Sequence, residues 1–256
     1  MGNSKFLDTA QLAVEEAEKV VLKYFKTNLR VSLKSDRTPV TIVDKEVEKV
    51  IKSIISKQFP KHGFFGEEYG RGLESTEYLW TIDPIDGTKN FVRGLPFFST
   101  ELSLIRNGEI MLGMSNSPIL KKRLWATKGN GTFINNKKTY VSKINSLENS
   151  YLSFGGIKYF QKLNKIDSLI KLSKKCMATR GFGDAWSYQM ISEGKIDMVI
   201  EAEFGGLYDV AAEVILVREA GGRVTDLLGD DFSVSSRSVI ATNGLIHDEV
   251  VQYFNS

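Results

Sequence analysis

The sequence predicts an α+β protein built from layers of helices and sheets. Three observations indicate this class. Two amphipathic segments open the chain, short apolar runs separated by turn residues follow, and apolar runs then alternate with helical periodicity after residue 150. No linker rich in Pro, Gly or Ser interrupts the 256 residues. We therefore expect one domain over residues 1–256, with a possible internal division near residue 150.

The amino-terminal part favours two helices and an antiparallel sheet. Apolar residues recur at helical spacing over residues 5–27 and again over 43–58, which predicts an amphipathic helix in each segment. Short apolar runs then alternate with Asn-Gly, Gly-Asn-Gly and Asn-Asn pairs, a pattern typical of hairpins. The predicted strands are 79–82, 98–105, 110–115, 123–127 and 132–134.

The carboxyl-terminal part favours strands that alternate with helices. Helical periodicity predicts helices over 157–173, 184–193, 209–220 and 245–254. The intervening apolar runs predict strands at 151–154, 176–180, 197–201, 224–225 and 239–242. Alternation of this kind places helices against the faces of a sheet.

Charge and cysteine content exclude several classes of function. The chain has 34 Lys and Arg against 31 Asp and Glu, and its basic residues are dispersed. This excess is too small for a nucleic-acid-binding surface. A single cysteine, Cys176, excludes an intramolecular disulfide and multi-cysteine metal sites, and two histidines exclude a histidine-rich site. Any bound metal must therefore be held by oxygen.

No membrane partner is expected. No stretch approaches the roughly 18 uncharged apolar residues of a membrane-spanning helix. The first residues also lack the apolar core of a signal peptide. The sequence therefore predicts a cytoplasmic protein.

Residues 80–91, with the sequence WTIDPIDGTKNF, are the most informative segment. An apolar strand runs into Asp83 and Asp86, and a Gly-Thr pair follows at a predicted helix start. Because Pro84 keeps Asp83 out of helical geometry, both carboxylates can project from one strand-to-helix corner. The helix start offers backbone N–H groups to an anion. Carboxylates beside an anion require a cation, since each carboxylate–phosphate pair at ~4 Å repels by about 4 kcal/mol.

Other motifs with two nearby aspartates fit this segment less well. A calcium-binding EF-hand needs oxygen ligands where this chain has Ile85 and Gly87. Phosphatases with a nucleophilic aspartate carry Asp-x-Asp-Gly-Thr after a strand, and here one extra residue turns the second aspartate to a different side. That class, in which Asp83 would be phosphorylated, stays open as the main rival. A plain Asp-Gly turn after a buried strand is the other alternative.

Three further acidic segments are unremarkable singly. Glu67 lies in Phe-Phe-Gly-Glu-Glu, a segment that alone favours a solvated loop. Thr41 is a candidate N-cap of the second helix, with Asp44 in its first turn. Asp209 opens the helix Tyr-Asp-Val-Ala-Ala, which ends at Glu-Ala-Gly-Gly.

Together these segments resemble the inositol monophosphatase family of metal-dependent, lithium-sensitive phosphatases. GEE, W-x-x-DPIDGT-x-NF, YDVAA and EAGG-x-x-TD occur in the order and spacing of that family, over nearly the whole chain. The resemblance implies an α-β-α-β-α sandwich that hydrolyses a small-molecule phosphate monoester. It also implies two or three Mg²⁺ ions per site and a homodimer.

The resemblance further implies a role for each motif residue. The magnesium ligands would be the side chains of Glu67, Asp83, Asp86 and Asp209 and the carbonyl of Ile85. Asp44 and Thr88 would orient the attacking water, with Glu67 as the third catalytic residue. Backbone N–H groups of Gly87 and Thr88 would hold phosphate oxygens. No covalent intermediate is required.

The substrate is expected to be histidinol phosphate, with inositol 1-phosphate or a related sugar phosphate as the alternative. Inositol phosphatases usually carry Gly-Ser-Ala where this chain has Gly-Asp-Ala at residues 183–185, and a tyrosine follows. That difference, the Thr-Pro-Val-Thr of residues 38–41, and Tyr208 before the aspartate resemble the histidinol-phosphatase branch.

An additional carboxylate has a chemical rationale in that branch. Histidinol phosphate carries an ammonium group, with which Asp184 or Glu201 could pair. Arg180, at the start of the same region, is the third predicted substrate contact. Asp184 could instead cap the helix that starts there. A non-catalytic metal- or phosphate-binding module also stays open, although every expected ligand position still carries oxygen.

Overall fold

The computed structural model of the protein describes residues 2–27, 31–33, 39–72 and 77–255. The helices within them are α1 (Gly2–Tyr24), α2 (Ile42–Gln58), α3 (Thr88–Val92), α4 (Ile157–Lys162), α5 (Ile166–Ser173), α6 (Asp184–Ser192), α7 (Ala211–Glu219) and α8 (His247–Asn255). The strands are β1 (Val31–Leu33), β2 (Pro39–Thr41), β3 (Gly63–Gly66), β4 (Gly70–Gly72), β5 (Tyr78–Asp86), β6 (Ser99–Arg106), β7 (Glu109–Ser117), β8 (Lys122–Thr127), β9 (Thr132–Ile134), β10 (Lys137–Thr139), β11 (Tyr151–Phe154), β12 (Ala178–Arg180), β13 (Met198–Glu201), β14 (Arg223–Thr225) and β15 (Val239–Thr242). Among these described residues no helix is long and apolar enough to cross a membrane.

Two large sheets organise the strands. The first has eight strands in the order β10-β9-β8-β7-β6-β5-β3-β4. Its neighbours are antiparallel, as the hairpin signals predict, except for the parallel pair β3–β5. The second has five strands in the order β12-β11-β13-β15-β14 and combines parallel and antiparallel pairs. The chain passes from one sheet to the other between residues 139 and 151, at the predicted internal division. The single-domain assignment remains a prediction.

Three apolar clusters fill the spaces between the layers. Helices α1 and α2 pack on one face of the eight-stranded sheet through Ala13, Val47, Trp80 and Leu102. Helices α6 and α7 fill the space between the two sheets, where Ile191 and other apolar side chains are buried. Helices α4, α5 and α8 cover the outer face of the five-stranded sheet. The order α-β-α-β-α is therefore confirmed.

Two local predictions were wrong. The helix predicted over 157–173 is split into α4 and α5, because Asn164 between them adopts a left-handed conformation with φ of 55°. Asparagine tolerates that conformation better than most residues, and a helix cannot continue through it. The segment before Glu67, expected as a loop, is strand β3, which pairs with β5 in the first sheet. Two glycines and two phenylalanines gave no alternating pattern that would have indicated a strand.

Candidate active site

The residues predicted to bind metal meet in a cavity of about 150 Å³, at the end of β5 and the start of α3. Its lining is Glu67, Asp83, Ile85, Asp86, Gly87, Thr88, Lys89, Asp184 and Asp209. A cleft of about 420 Å³ adjoins it and shares several of these residues. The cleft adds residues of the 155–159 and 201–208 segments, which come from the carboxyl-terminal half of the chain. The site is therefore built where the two sheets approach each other.

Strand β5 supplies two carboxylates through an irregularity at its end. The β5–β6 pairing is regular up to Asp83 opposite Glu101, and its register then shifts before Asp86. Thr100 Oγ1 donates to the carbonyl of Pro84 at 2.8 Å and holds the shifted segment. Asp83 is 3% exposed, and its Oδ1 accepts from the N–H of Ile85 at 3.0 Å. The corner predicted from Pro84 is therefore present.

Gly87 forms the tight turn between β5 and α3. Its φ is +80°, and a Cβ at this position would lie 3.0 Å from the carbonyl of Phe97 and 3.1 Å from Asp184 Oδ2. Only glycine combines this conformation with so little space. Thr88 Oγ1 donates to the carbonyl of Ile85 at 2.9 Å, which leaves that carbonyl one lone pair. The first N–H groups of α3 have no partner inside the helix, as at any helix start.

Glu67 and Asp209 reach the cavity from two other elements. The N–H of Glu67 donates to the carbonyl of Ile82 at 3.1 Å, so the parallel β3–β5 pairing carries Glu67 next to Asp83. Asp209 ends a short 3₁₀ turn before α7, and its Oδ2 accepts from the N–H of Gly206 at 2.8 Å. Residues more than a hundred positions apart are thereby brought to one cavity.

Asp44 serves as a helix-capping residue and keeps one oxygen free. Its Oδ2 accepts from the N–H and the Oγ1 of Thr41, both at 2.7 Å, and Thr41 is the N-cap of α2. The predicted N-cap is thus confirmed. Asp44 Oδ1 is buried and has no hydrogen-bond partner among the described residues. Thr38, part of the motif that resembles the histidinol-phosphatase branch, lies outside the described residues.

Mutual repulsion and burial raise the pKa values of these carboxyl groups. Burial, followed by the charges of Glu67 and Asp86, holds the pKa of Asp83 well above its usual range. Burial is also the largest cause for Asp209, whose pKa rises to about 7, and for Asp44, whose pKa rises to about 6. A cluster of this kind is stable in its ionised form only with cations beside it.

Asp184 lies beside the turn at Gly87 and does not cap its helix. Gly183 is the N-cap of α6, and it makes no side-chain capping bond, so the capping alternative for Asp184 is wrong. Asp184 Oδ2 instead accepts from Asn90 Nδ2 at 3.2 Å. The next N–H, of Ala185, donates to Asp86 Oδ2 at 2.7 Å. The start of α6 is thus joined directly to Asp86.

The other two predicted substrate contacts differ in their positions. Glu201 lines the adjoining cleft, and burial of its carboxyl, followed by the charges of Asp209 and Asp184, raises its pKa to about 8. Arg180 is exposed and donates to the carbonyl of Thr179 at 2.8 Å. It is not among the described residues that line either cavity. The structure does not bring Arg180 into the site, because its edge strand β12 ends before the chain turns toward the cavity.

The sequence model of the inositol monophosphatase family matches residues 3–256. The chain belongs to the inositol monophosphatase family. A histidinol-phosphatase of Mycobacterium tuberculosis is 34% identical to it over 261 residues, covering 100% of both chains. A fructose-1,6-bisphosphatase/inositol-1-monophosphatase of Thermotoga maritima is 37% identical over 223 residues, covering 84% of this chain and 82% of the relative. These names describe phosphoric monoester hydrolases, and this family member is an enzyme of that class.

The fold agrees with a solved structure of the family. The inositol monophosphatase of Thermotoga maritima superposes with a TM-score of 0.89 at 34% identity, covering 98% of this chain and 97% of that one. The layered architecture is therefore that of the family.

The residues present fit the magnesium on which the inositol monophosphatase family generally depends. All the side chains at the cavity that could bind a metal are oxygen donors, which suit Mg²⁺, Mn²⁺ or Ca²⁺ better than zinc. The unpartnered Oδ1 of Asp44 and the raised pKa values also indicate missing positive charge. In the described part of the chain no three acidic, histidine or cysteine side chains already form a ready-made metal site. A cation would therefore have to draw the lining carboxylates together.

A buried acid pair behind the site was missed by the sequence analysis. Glu101 of β6 and Glu213 of α7 are 1% and 0% exposed and face each other. Gln189 Nε2 donates to Ser115 Oγ, which donates to Glu101 Oε1, both at 2.7 Å. Burial raises the pKa of both carboxyl groups, and it holds that of Glu213 well above the usual range. Two features of the sequence could have indicated the pair. Glu101 lies within an apolar strand, and Glu213 lies within an apolar helix.

A larger cavity shares no lining residue with this site. A space of about 480 Å³ separates α1 from the turns that flank β8. Its Arg123 pairs with Glu18 at 2.7 Å, and Lys122 pairs with Glu193 at 2.5 Å. These cations are already neutralised by protein carboxylates. The candidate active site is therefore the smaller cavity, where several buried carboxylates meet.

Proposed function

We propose that this enzyme is a magnesium-dependent histidinol-phosphate phosphatase that uses direct attack of water. The observation that carries the proposal is the position of Asp184, whose carboxylate lies against the phosphate-binding turn at Gly87. The carboxylates of the metal side account for the phosphatase chemistry, and Asp184 accounts for the choice of substrate.

The metal would be held by Glu67, Asp83, Asp86, Asp209 and the carbonyl of Ile85. Two or three Mg²⁺ ions, when bound, would lower the pKa of a water molecule and stabilise negative charge on the phosphoryl and leaving oxygens. The family membership of the chain and the all-oxygen lining support this assignment.

The chain's own groups would bind phosphate and orient water. Gly87 and Thr88 line the cavity at the start of α3, and their N–H groups would donate to phosphate oxygens. Asp44 Oδ1, which has no partner among the described residues, would accept a hydrogen bond from the attacking water. Thr88 Oγ1 already donates to the carbonyl of Ile85, so its lone pairs remain to accept the second hydrogen of that water.

The covalent structure of histidinol phosphate places its ammonium close to its phosphate. The ammonium is bonded to the carbon next to the esterified CH₂ group, so a carboxylate that pairs with it must lie near the phosphate-binding turn. Asp184 meets this requirement through its contact with Asn90 and its closeness to Gly87. Glu201 lies farther along the cleft, where it would assist or bind the rest of the substrate.

Inositol 1-phosphate is the second candidate substrate. A relative named for inositol-1-monophosphatase activity is 37% identical to this chain, slightly more than the histidinol-phosphatase relative. The latter match covers the whole of both chains, however. Inositol hydroxyls are neutral and do not require a carboxylate at position 184. The geometry therefore favours the cationic substrate.

The two other functions left open by the sequence have less support. A phosphorylated Asp83 is disfavoured because this carboxyl is 3% exposed and already accepts from the N–H of Ile85. A non-catalytic module is disfavoured because every expected ligand position carries oxygen at one cavity. Intact-mass spectrometry during turnover would detect an aspartyl-phosphate, and its appearance would overturn the direct-attack mechanism.

Oligomeric state and location complete the proposal. The family resemblance supports a homodimer, and the cytoplasmic location remains the expectation drawn from the sequence. Light scattering coupled to size-exclusion chromatography should give twice the 28.7 kDa mass of one chain. A mass of one chain at micromolar concentration would contradict the dimer.

Phosphate release tests the function directly. The purified enzyme should release inorganic phosphate from histidinol phosphate when Mg²⁺ is present at about 5 mM, a concentration chosen for weakly held cations. Addition of excess chelator should abolish release, and restored Mg²⁺ should recover it. If the enzyme releases phosphate from neither histidinol phosphate nor inositol 1-phosphate, the proposed function is overturned.

A further inference from the structure

We propose that Glu48 is a positioning residue that holds the Glu67 turn in place for metal binding. This inference rests on the proposed function, because it assumes that Glu67 is a magnesium ligand. Glu48 lies on α2, outside the lining of the site cavity. Its contacts are directed to the backbone that follows Glu67, so its effect on the metal would be indirect.

The side chain of Glu48 is fully buried and binds the turn through one oxygen. Its exposed fraction is 0%. Oε2 accepts from the N–H of Glu68 at 2.9 Å. Oε1 lies 2.6 Å from Lys52 Nζ, in an ion pair that is not aligned as a hydrogen bond. Lys52 in turn lies over the Tyr69 ring, with Nζ 5.0 Å from its centroid. The carboxylate is thus fixed at both oxygens.

The two amides that flank the Glu67 side chain are anchored to different elements. The N–H of Glu67 donates to the carbonyl of Ile82 on β5. The next N–H, of Glu68, donates to Glu48 on α2. The turn is therefore held between the sheet and the helix, with Glu67 between the two anchors. Loss of the helix anchor would free the turn on one side only.

The space beside Gly66 shows how closely the carboxylate and the turn fit. A Cβ added to Gly66 would lie 1.9 Å from Glu48 Oε1, well inside any permitted contact. The backbone conformation of Gly66 lies outside the range that disfavours other residues, so glycine is needed here for space. Gly66 therefore leaves the space that the buried carboxylate of Glu48 occupies.

Helix α2 presents this residue together with a proposed catalytic residue. Asp44 and Glu48 are four positions apart, which places them on the same face of the helix one turn from each other. Burying a carboxylate costs free energy, and an apolar side chain of similar volume would serve packing better. Placement of Glu67 explains why a hydrogen-bond acceptor occupies this position.

The test compares removal of the hydrogen-bond acceptor with removal of the charge alone. Glu48→Gln keeps an oxygen that can accept from the N–H of Glu68, whereas Glu48→Ala removes it. The matched control is Glu46→Ala, an acid on the same helix whose Oε1 accepts from the Tyr24 hydroxyl at 3.2 Å. Gly66→Ala serves as a second variant, because its methyl group would push the intact carboxylate away from the turn.

The readouts are the Mg²⁺ dissociation constant by titration calorimetry, and kcat for histidinol phosphate at saturating Mg²⁺. Glu48→Ala and Gly66→Ala should raise the dissociation constant by about ten- to a hundredfold, the usual effect of losing support behind a metal ligand. Glu48→Gln and Glu46→Ala should stay within about threefold of wild type. Saturating Mg²⁺ should restore most of kcat in all variants.

Two results would overturn the inference. Folded Glu48→Ala with a wild-type Mg²⁺ dissociation constant would show that Glu48 is only a packing residue. A loss in Glu48→Gln as large as in Glu48→Ala would assign the effect to charge rather than to the anchor. If Glu48→Ala does not fold, the Mg²⁺ dissociation constant of Gly66→Ala is decisive. A wild-type value would overturn the inference, and a raised value would support it. A wild-type enzyme that binds Mg²⁺ but does not hydrolyse histidinol phosphate would overturn only the proposed function.

Discussion

The carboxylates on the metal side of the cavity come from strand β5 and its neighbours, and Asp83 among them is 3% exposed. On the substrate side the groups come from the segments around α4, α6 and β13, where Asp184 is exposed and the Glu203 side chain is 31% exposed. Backbone hydrogen bonds hold the first side, whereas the second combines the exposed Asp184 with the buried carboxyl of Glu201. The proposed function assigns the reaction itself to the metal side and the choice of substrate to the substrate side.

Substitution of Asp86 should give the largest effect and should spare no substrate. Asp86→Asn keeps an oxygen to accept from the N–H of Ala185 but removes a negative charge from the metal side. Because even groups behind a metal ligand matter by 10–100-fold, we expect kcat/KM to fall by more than about a hundredfold on both histidinol phosphate and inositol 1-phosphate. Steady-state kinetics with a melting curve as control checks this. Wild-type activity at low Mg²⁺ would remove Asp86 from the ligand set.

Substitution of Asp184 should separate the two sides. Asp184→Asn preserves the side-chain shape, and asparagine tolerates the φ of 54° found at this position. Loss of a charge-assisted contact worth about 1.5–3 kcal/mol should lower kcat/KM for histidinol phosphate by roughly ten- to a hundredfold. The value for inositol 1-phosphate should change by less than about threefold, since its hydroxyl groups are neutral. Equal losses on both substrates would place Asp184 with the metal side.

Magnesium affinity should depend on pH through the metal-side carboxyls. The pKa of Asp209 is raised to about 7 in the metal-free protein, so below that pH it holds a proton that Mg²⁺ must displace. For each proton that must be displaced, the affinity for Mg²⁺ rises by up to about tenfold per unit of increasing pH. The rise ends when the pH exceeds the pKa of that carboxyl group. Titration calorimetry at about pH 6 and about pH 8 should show tighter binding at the higher pH. A dissociation constant that is independent of pH would contradict the raised pKa.

The raised pKa of Asp209 also affects the stability of the folded protein. A carboxyl whose folded pKa is raised destabilises the folded protein as pH rises from its unfolded pKa, near 4, to its folded pKa. For Asp209 that interval ends at about 7. The metal-free enzyme should therefore melt at a lower temperature near pH 8 than near pH 5, as far as this group contributes, and Mg²⁺ should stabilise it most at the higher pH.

Substitution of Glu203 should give the smallest effect. Its carboxylate pairs with Lys162 at 2.6 Å, but the lysine side chain is 63% exposed. Exposed ion pairs contribute little, so Glu203→Gln should change kcat/KM for histidinol phosphate by less than about threefold. A larger loss, restricted to histidinol phosphate, would show that Glu203 touches the imidazole end of the substrate and would extend the substrate side outward.

Some parts of the site could be predicted from local sequence, and others could not. The corner at Asp83 and Asp86 depends on a proline, a glycine and their immediate neighbours, so local sequence rules describe it well. The meeting of Glu67 with Asp83 depends on the parallel β3–β5 pairing. No local pattern indicated that strand, and only the resemblance to the family supplied the contact.

The supporting acids were beyond the reach of sequence patterns. Glu101 and Glu213 are 112 positions apart in the chain and meet only because α7 packs on β6 and β7. Glu48 occupies an amphipathic helix in which an acid is ordinarily solvent-exposed. A buried acid becomes recognisable when the backbone that it contacts is known. The substrate side is similar, because the position of Asp184 beside Gly87 depends on the approach of α6 to the corner.

The most direct test of the account is the ratio of kcat/KM for histidinol phosphate to that for inositol 1-phosphate, measured side by side on the wild-type enzyme with saturating Mg²⁺. A charge-assisted contact at Asp184 predicts a ratio of roughly ten to a hundred in favour of histidinol phosphate. The ratio should fall toward one in Asp184→Asn. A wild-type enzyme that prefers inositol 1-phosphate would contradict the substrate assignment and leave the metal chemistry in place.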